Sequence, residues 1–230
     1  MSLGAARHPV VLAYHSIHDP EPGVYAPDVI LTPAALEHDV RELQANGYRF
    51  VTAAELGGEA PPPGTAVLTF DDGWRDGLTV AAPLLARLRV RATFYLCPGL
   101  FGNHDARMGT AGWVLTEAQA RELHAAGMDL GAHSMTHPDL RTLDDDALRA
   151  ELADSKAAIE AITGTGCRTL AYPFGVHDAR VRQAAGEAGF ALAFAYRPGP
   201  WSALAAPRLP GPLSGPETQP SEPSTSSTQP

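Results

Sequence analysis

The sequence has 230 residues and a formal net charge of −9, with 17 basic against 26 acidic side chains. It contains no basic patch, which argues against a nucleic-acid partner, and no apolar run long enough to span a bilayer. A hydrophobic fraction of 44% is sufficient for one globular domain with a substantial core. The composition therefore favours a globular enzyme or binding domain.

The N-terminus and the cysteines bear on cellular location. No basic segment followed by an apolar one opens the chain, so no signal peptide is identified. As written, the chain is expected to be cytoplasmic, and export by an upstream segment stays open. Cys97 and Cys167 match no zinc or redox motif, so we expect two buried free thiols, with a disulfide as the alternative.

Strand and helix patterns alternate along the chain. The predicted strands are 10–14, 48–51, 66–70, 92–96, 128–132, 169–172 and 190–195. Helices are predicted after the N-cap signals Thr32 and Thr116 and over 78–88, 144–162 and 178–188. Such alternation implies an α/β fold with parallel strands, either a barrel or an open sheet.

Two segments lack this alternation. Residues 99–112 show no clear period and predict a long loop over one end of the fold. From Pro210 onward the sequence is rich in Pro, Ser and Thr and poor in large apolar residues. Such a segment cannot bury enough surface to offset its ordering entropy. We therefore predict a catalytic domain over 1–209 and a disordered tail over 210–230.

Two adjacent acids, Asp71 and Asp72, follow the strand that ends at Phe70. Neighbouring residues within a strand point to opposite faces. Both acids can therefore reach one site only where the strand gives way to a loop, as Gly73 allows. Taken alone, the pair could equally be a polar turn or a helix cap on the surface.

Two histidines, His133 and His137, follow the strand over 128–132. Residues four apart are separated by about 13 Å in a strand but by about 6 Å in a helical turn. We therefore expect one turn, which Pro138 ends. A carboxylate and two imidazoles form a common ligand shell of a hydrolytic metal, and the second acid is then available as a general base. The alternative is two surface histidines.

Three further residues are candidates for the same site. An arginine such as Arg168 can hold a buried carboxylate ionised and oriented, and Tyr172 could offer its backbone N–H to an oxyanion. His15 ends the first strand and could face the same mouth. Alone, these features would indicate a salt bridge, a Pro-Gly turn and a partly exposed histidine. Three tryptophans could stack on sugars but more often pack in proteins: Trp74, Trp113 and Trp201.

Together these residues resemble the polysaccharide deacetylase family of carbohydrate esterases, over roughly residues 8 to 210. The run Thr69-Phe70-Asp71-Asp72-Gly73 looks like the family's first motif, and His133-Ser134-Met135-Thr136-His137 looks like its second. The run from Arg168 to Gly175 is similar to the third. The resemblance implies a distorted (β/α)7 barrel with mostly parallel strands.

The resemblance also implies a role for each residue. Asp72, His133 and His137 would bind a divalent metal, most often zinc. Asp71 would be the general base and Arg168 would orient it, while the backbone at Tyr172 would help to bind the oxyanion.

The resemblance has one gap, the general acid. The late Leu-x-His of many members, whose histidine is the acid, has no counterpart in this chain. The run Leu12-Ala13-Tyr14-His15 instead looks like the branch that deacetylates poly-N-acetylglucosamine, in which an early histidine lies by the site. His15 is therefore the candidate acid, and His177 is the weaker one.

These observations predict a metal-dependent hydrolase that removes acetyl groups from N-acetylated amino sugars of an oligo- or polysaccharide. Two alternatives remain. An O-acetyl esterase of xylan-type glycans would use the same site, and a catalytically silent sugar-binding domain would account for the missing late histidine. The sequence does not indicate the glycan or the oligomeric state.

Overall fold

A parallel sheet, rolled into a nearly closed barrel, organises the fold. The computed structural model describes residues 8–21, 29–196 and 199–213. Six of its strands form the wall of the barrel: β1 (Val10–Tyr14), β5 (Thr65–Phe70), β6 (Thr93–Leu96), β7 (Asp129–Ala132), β8 (Thr169–Ala171) and β9 (Leu192–Ala195). These strands pair in the order β9-β8-β7-β6-β5-β1, and all their pairings are parallel. The barrel alternative of the sequence analysis is therefore confirmed.

Short strands complete the sheet and its surroundings. They are β2 (Ser16–Ile17), β3 (Ile30–Leu31), β4 (Arg49–Phe50), β10 (Ala206–Pro207) and β11 (Leu209–Pro210). β4 pairs with the first residues of β5, and β2 pairs with β3 away from the barrel.

Helices cover the outside of the barrel. They are α1 (Pro33–Ala45), α2 (Ala53–Leu56), α3 (Ala82–Arg87), α4 (Glu117–Ala125), α5 (Asp145–Thr163) and α6 (Ala179–Glu187). The predicted N-caps are confirmed, because the hydroxyls of Thr32 and Thr116 accept hydrogen bonds from Ala35 and Gln119 N–H. The predicted helix over 78–88 is a short π-helix over Gly77–Ala81 followed by α3.

The C-terminal segment closes the barrel. β10 pairs with β9, and β11 pairs with β1 on the far side of the gap, with Arg208 between them. Gly211 N–H donates to Ala13 O, and Leu213 N–H donates to the buried carboxylate of Asp39. The predicted tail therefore begins too early, because residues 210–213 are docked on the barrel. Residues 214–230 lie outside the described residues.

Both cysteines are buried free thiols, as predicted. In the part of the chain that the structure describes, no helix combines the length and apolar character needed to cross a membrane.

Candidate metal centre and active site

The two acids sit at the carboxyl end of β5. Asp71 continues the ladder, since its N–H donates to Tyr14 O at 2.9 Å. Asp72 and Gly73 then adopt positive φ angles of 69° and 70°, and this turn brings both carboxylates to one mouth of the barrel. A side chain on Gly73 would press on Leu96, at 3.1 Å from Cβ. As predicted, the strand gives way to a turn at Gly73, and Asp72 is part of the same turn.

The histidine pair lies on a loop after β7 rather than on the predicted helical turn. Ser134 and His137 both have φ of 62°, so two left-handed residues fold the loop back on itself. Glu151 of α5 holds the loop, because its carboxylate accepts from Met135 N–H at 2.7 Å, Thr136 N–H at 2.9 Å and the Thr136 hydroxyl at 2.6 Å. The prediction of a helical turn is wrong. The carboxylate of Glu151 accepts hydrogen bonds from the backbone N–H groups of the loop, so the loop does not need the hydrogen bonds of a helix.

Asp72, His133 and His137 form a three-ligand cluster. Oδ1 of Asp72 lies 3.4 Å from Nε2 of each histidine. One ligand atom from each residue falls within 4.8 Å of the others. The other carboxylate oxygen of Asp72 accepts from Trp74 Nε1 at 3.2 Å, so Trp74 packs beside the cluster and orients one ligand. A mixed oxygen and nitrogen set of this size suits a divalent ion such as zinc.

His133 is fixed in the orientation that a metal ligand needs. Its Nδ1 lies 2.7 Å from Ala171 O. Because that carbonyl can only accept, Nδ1 carries the proton and Nε2 faces the cluster with its lone pair. Burial opposes the charged form, but Asp71 and Asp72 outweigh it and raise the pKa of His133. Burial and the nearby His133 lower the pKa of His137. These residues fit the implied metal.

Asp71 pairs with Arg208, not with Arg168. The two Arg208 nitrogens Nη1 and Nη2 donate to Oδ1 and Oδ2 of Asp71, each at 2.7 Å. Arg168 is exposed and precedes β8, at the end of that strand away from the site, so the prediction that it orients Asp71 is wrong. Burial would raise the pKa of Asp71, but the charge and hydrogen bonds of Arg208, together with His133, outweigh it and lower the pKa below its usual value.

The predicted oxyanion donor is also misplaced. Tyr172 N–H donates to Phe194 O at 3.0 Å within the sheet, and its hydroxyl donates to Leu204 O. Its N–H is therefore already used. Two residues later, Phe174 has a φ of 58° and a side chain that is 60% exposed, and its ring lies 4.6 Å from that of His137. Among the described residues, no backbone hydrogen bond of this turn has Phe174 N–H as its donor.

A cleft of about 750 Å³ opens over the cluster. His15 lines it together with Asp71, the three ligand residues and Phe174. His177 is absent from the described lining, and its Nδ1 lies 3.1 Å from Arg182 Nη1. The structure thus brings His15 to the site and leaves His177 outside it. Trp201 packs against Phe194. Trp113 is 40% exposed, and its ring lies 4.7 Å from that of His104 at a tilt of 50°.

The arrangement is that of a known family. The family model described as polysaccharide deacetylase matches residues 58–193. The chain belongs to the polysaccharide deacetylase family. Both motifs that carry the site, Asp71-Asp72 and His133 to His137, lie inside the matched range, whereas Arg208 lies beyond it.

Two curated relatives and one solved structure set the extent of the similarity. The chain is 25% identical over 194 residues to the putative polysaccharide deacetylase YxkH of Bacillus subtilis, covering 82% of this chain and 64% of that protein. It is 33% identical over 93 residues to a chitooligosaccharide deacetylase of Rhizobium leguminosarum bv. trifolii, covering 40% of this chain and 38% of that protein. The chain thus spans less than two thirds of the length of either protein.

The solved structure is that of the Streptococcus pyogenes deacetylase PplD in complex with acetate. It superposes with a TM-score of 0.75 at 28% identity, covering 90% of this chain and 93% of that one. The fold of this polysaccharide deacetylase family member is thus shared over nearly all of both chains.

Proposed function

We propose that this protein is a divalent-metal-dependent deacetylase that hydrolyses the N-acetyl groups of amino sugars in a glycan. One observation carries the proposal: the Asp72, His133 and His137 cluster opens onto the same cleft as an ionised, arginine-held Asp71. Hydrolysis of an acetamide needs a polarised carbonyl, a base for water and an acid for the amine, and the cleft offers a group for each role.

A divalent metal in such a cluster, most often zinc in this family, supplies Lewis acidity and lowers the pKa of bound water. Asp71 is the base that accepts the proton from the attacking water. Its Oδ2 lies 4.0 Å from His133 Nε2, so this oxygen faces the ligand set. Arg208 keeps the carboxylate ionised and prevents it from rotating, because the paired hydrogen bonds fix both oxygens.

The remaining roles fall to the rim of the cleft. Phe174 N–H is the donor for the developing oxyanion, because it lines the cleft beside His137 and donates no bond within the turn. His15 gives the proton to the leaving amine.

Acetate release tests the proposal. The protein is loaded with Zn²⁺, freed of excess metal and incubated with β-1,4- and β-1,6-linked N-acetylglucosamine oligomers. We expect equal amounts of acetate and free amine, loss of both on chelation, and recovery on adding Zn²⁺ back. Asp71→Asn should keep its metal and lose about 10²–10⁴-fold in turnover. A metal-loaded wild type that releases no amine from any oligomer would refute the proposal.

The same assay separates the alternatives. Acetate released from acetylated xylan, without amine release from the oligomers, would identify an O-acetyl esterase. Oligomer binding without turnover of either substrate would identify a silent sugar-binding domain. No feature of the cleft favours either alternative over the main proposal.

A further inference from the structure

Three aromatic rings surround the guanidinium of Arg208. Its Cζ lies 5.7 Å from the ring centre of Tyr95, 5.6 Å from that of Phe194 and 4.9 Å from that of Tyr196. All three distances are within the range of a cation–π contact, and the shortest is to Tyr196. Tyr95 and Phe194 are fully buried. Tyr196 differs from them, because it lines the cleft.

Tyr196 is therefore the ring of this cage that lies between Arg208 and the cleft. Water in the cleft would weaken the Arg208–Asp71 pair, since the attraction between two charges falls steeply as the local dielectric rises. The pair itself is buried, with side-chain exposures of 0% and 1%. A residue that shields Arg208 from cleft water, and leaves Asp71 facing the cleft, acts on the base without belonging to the ligand set.

The position of Tyr196 is itself constrained. Its N–H donates to Gly175 O at 3.1 Å, and a Cβ placed on Gly175 would lie 2.1 Å from Cδ2 of the tyrosine. The ring thus rests directly on the backbone of the turn that carries Phe174. Its hydroxyl lies 3.5 Å from Oδ2 of Asp71, which is at the long limit of a hydrogen bond and adds little.

We propose that Tyr196 is a positioning residue for the general base, acting through the face of its ring. The ring covers Arg208 on the cleft side and holds the guanidinium against both oxygens of Asp71. This inference rests on the proposed function, because it assigns Asp71 as the base. The hydroxyl is secondary, so a phenylalanine should serve in its place.

Three variants test the proposal in the zinc-loaded, full-length protein: Tyr196→Phe, Tyr196→Leu and the control Tyr48→Leu. Tyr48 is a partly buried tyrosine near the N-terminus of β4, and its hydroxyl donates to His8 O. With the N-acetylglucosamine oligomers as substrate, we expect Tyr196→Phe to keep kcat within about 3-fold. Tyr196→Leu should lose about 10- to 30-fold in kcat, with KM within about 2-fold; the energy of one desolvated cation–π contact sets the upper limit of this loss. Metal content should be equal in all variants, and the control should match wild type in kcat.

The outcomes separate this role from others. Equal losses in Tyr196→Phe and Tyr196→Leu would assign the effect to the hydroxyl and overturn the proposal, as would a rise in KM at constant kcat. If Tyr196→Leu does not fold, Tyr196→Met takes its place with the same expected loss. An inactive wild type overturns the proposed function and this role with it, whereas an active wild type with an equally active leucine variant overturns this role alone.

Discussion

Arg208 binds both oxygens of Asp71 across 137 residues of sequence, with two nitrogen–oxygen distances of 2.7 Å. A third bond, from Nη1 to the hydroxyl of Thr69 at 2.9 Å, fixes the guanidinium against β5. The segment that closes the barrel therefore also supplies the cation that pairs with Asp71. Closure of the fold and the orientation of the proposed base, Asp71, depend on the same residue.

Removal of the arginine should destabilise the protein strongly. Arg208→Met leaves a buried carboxylate without its partner, and breaking such a pair costs about 3–5 kcal/mol. We expect a loss of that order in the free energy of unfolding, measured by urea titration of the metal-free protein.

The double variant Asp71→Asn/Arg208→Met is the control for this prediction. It removes the unpaired charge, so it should recover much of the stability lost in Arg208→Met. A double variant that is less stable than Arg208→Met would show that the arginine acts mainly through its packing, not through the pair.

If Asp72, His133 and His137 hold the proposed metal, the protein should bind about one divalent ion per chain. His133→Ala and His137→Ala each remove one of three ligands, so both variants should lose the ion on dialysis. His104→Ala is the matched control, because this histidine lines the cleft outside the cluster. Elemental analysis decides the matter, and equal metal in wild type and both ligand variants would contradict the assignment.

Glu151 should control metal affinity without touching the metal. It accepts two backbone N–H groups and a hydroxyl from the loop between the histidines. Glu151→Ala removes the acceptors of all three bonds, so His137 should lose its fixed position. We expect the dissociation constant for Zn²⁺ to rise by about 10–100-fold, as when groups behind metal ligands are altered. Asp154→Asn, an exposed change on the same helix, should leave zinc titrations unchanged.

The contacts of the C-terminal segment predict that the effect of truncation on Tm depends on whether residues 210–213 are kept. A cut after Leu209 removes the Gly211 bond to Ala13 and both Leu213 bonds to Asp39. An acid left short of its donors costs about 1–3 kcal/mol, and each kcal/mol lowers Tm by about 2–4 °C in a chain of this size. A cut after Leu213 keeps these bonds and should leave Tm unchanged. Equal Tm for the two truncated chains, by thermal denaturation, would show that residues 210–213 do not stabilise the barrel.

The sequence predicts the barrel and the ligand cluster well, because both depend on local patterns. The apolar strand before Asp71 and the one before His133 each end where the chain must turn, and parallel strands bring such ends to one mouth. Val10–Tyr14 is predicted to the residue, and α1 follows its predicted cap.

The sequence does not reveal contacts between residues that are far apart along the chain. Arg208 stands between two prolines in a segment without strand periodicity, so only its pairing with β1 and β9 reveals that it enters the barrel. The resemblance points to Arg168 because this residue opens the run that is similar to the third motif, yet β8 places it at the end of the strand away from the site. The contact of Glu151 with the histidine loop could not be predicted either, because a single acidic residue on the exposed face of a helix is common.

The role of His15 is the prediction on which the mechanism depends most. His15 follows β1 and lines the cleft with Asp71, and its ring lies 6.4 Å from that of Tyr196. The family's late histidine is missing, and His177 lies outside the described lining of the cleft. An amine must gain a proton to leave a tetrahedral intermediate, whereas an activated phenolate leaves without one.

His15→Ala should therefore keep its metal and lose most of its amide turnover, by about 10²-fold or more, while its turnover of an activated aryl acetate should fall much less. His177→Ala is the matched control and should resemble wild type on both substrates. The comparison is made by measuring kcat for the N-acetylglucosamine oligomers and for the aryl ester with zinc-loaded protein. Equal losses on the two substrates would argue for a structural or binding role, because a proton donor matters only when the leaving group needs the proton. No loss on either substrate would move the source of the proton from His15 to water in the cleft.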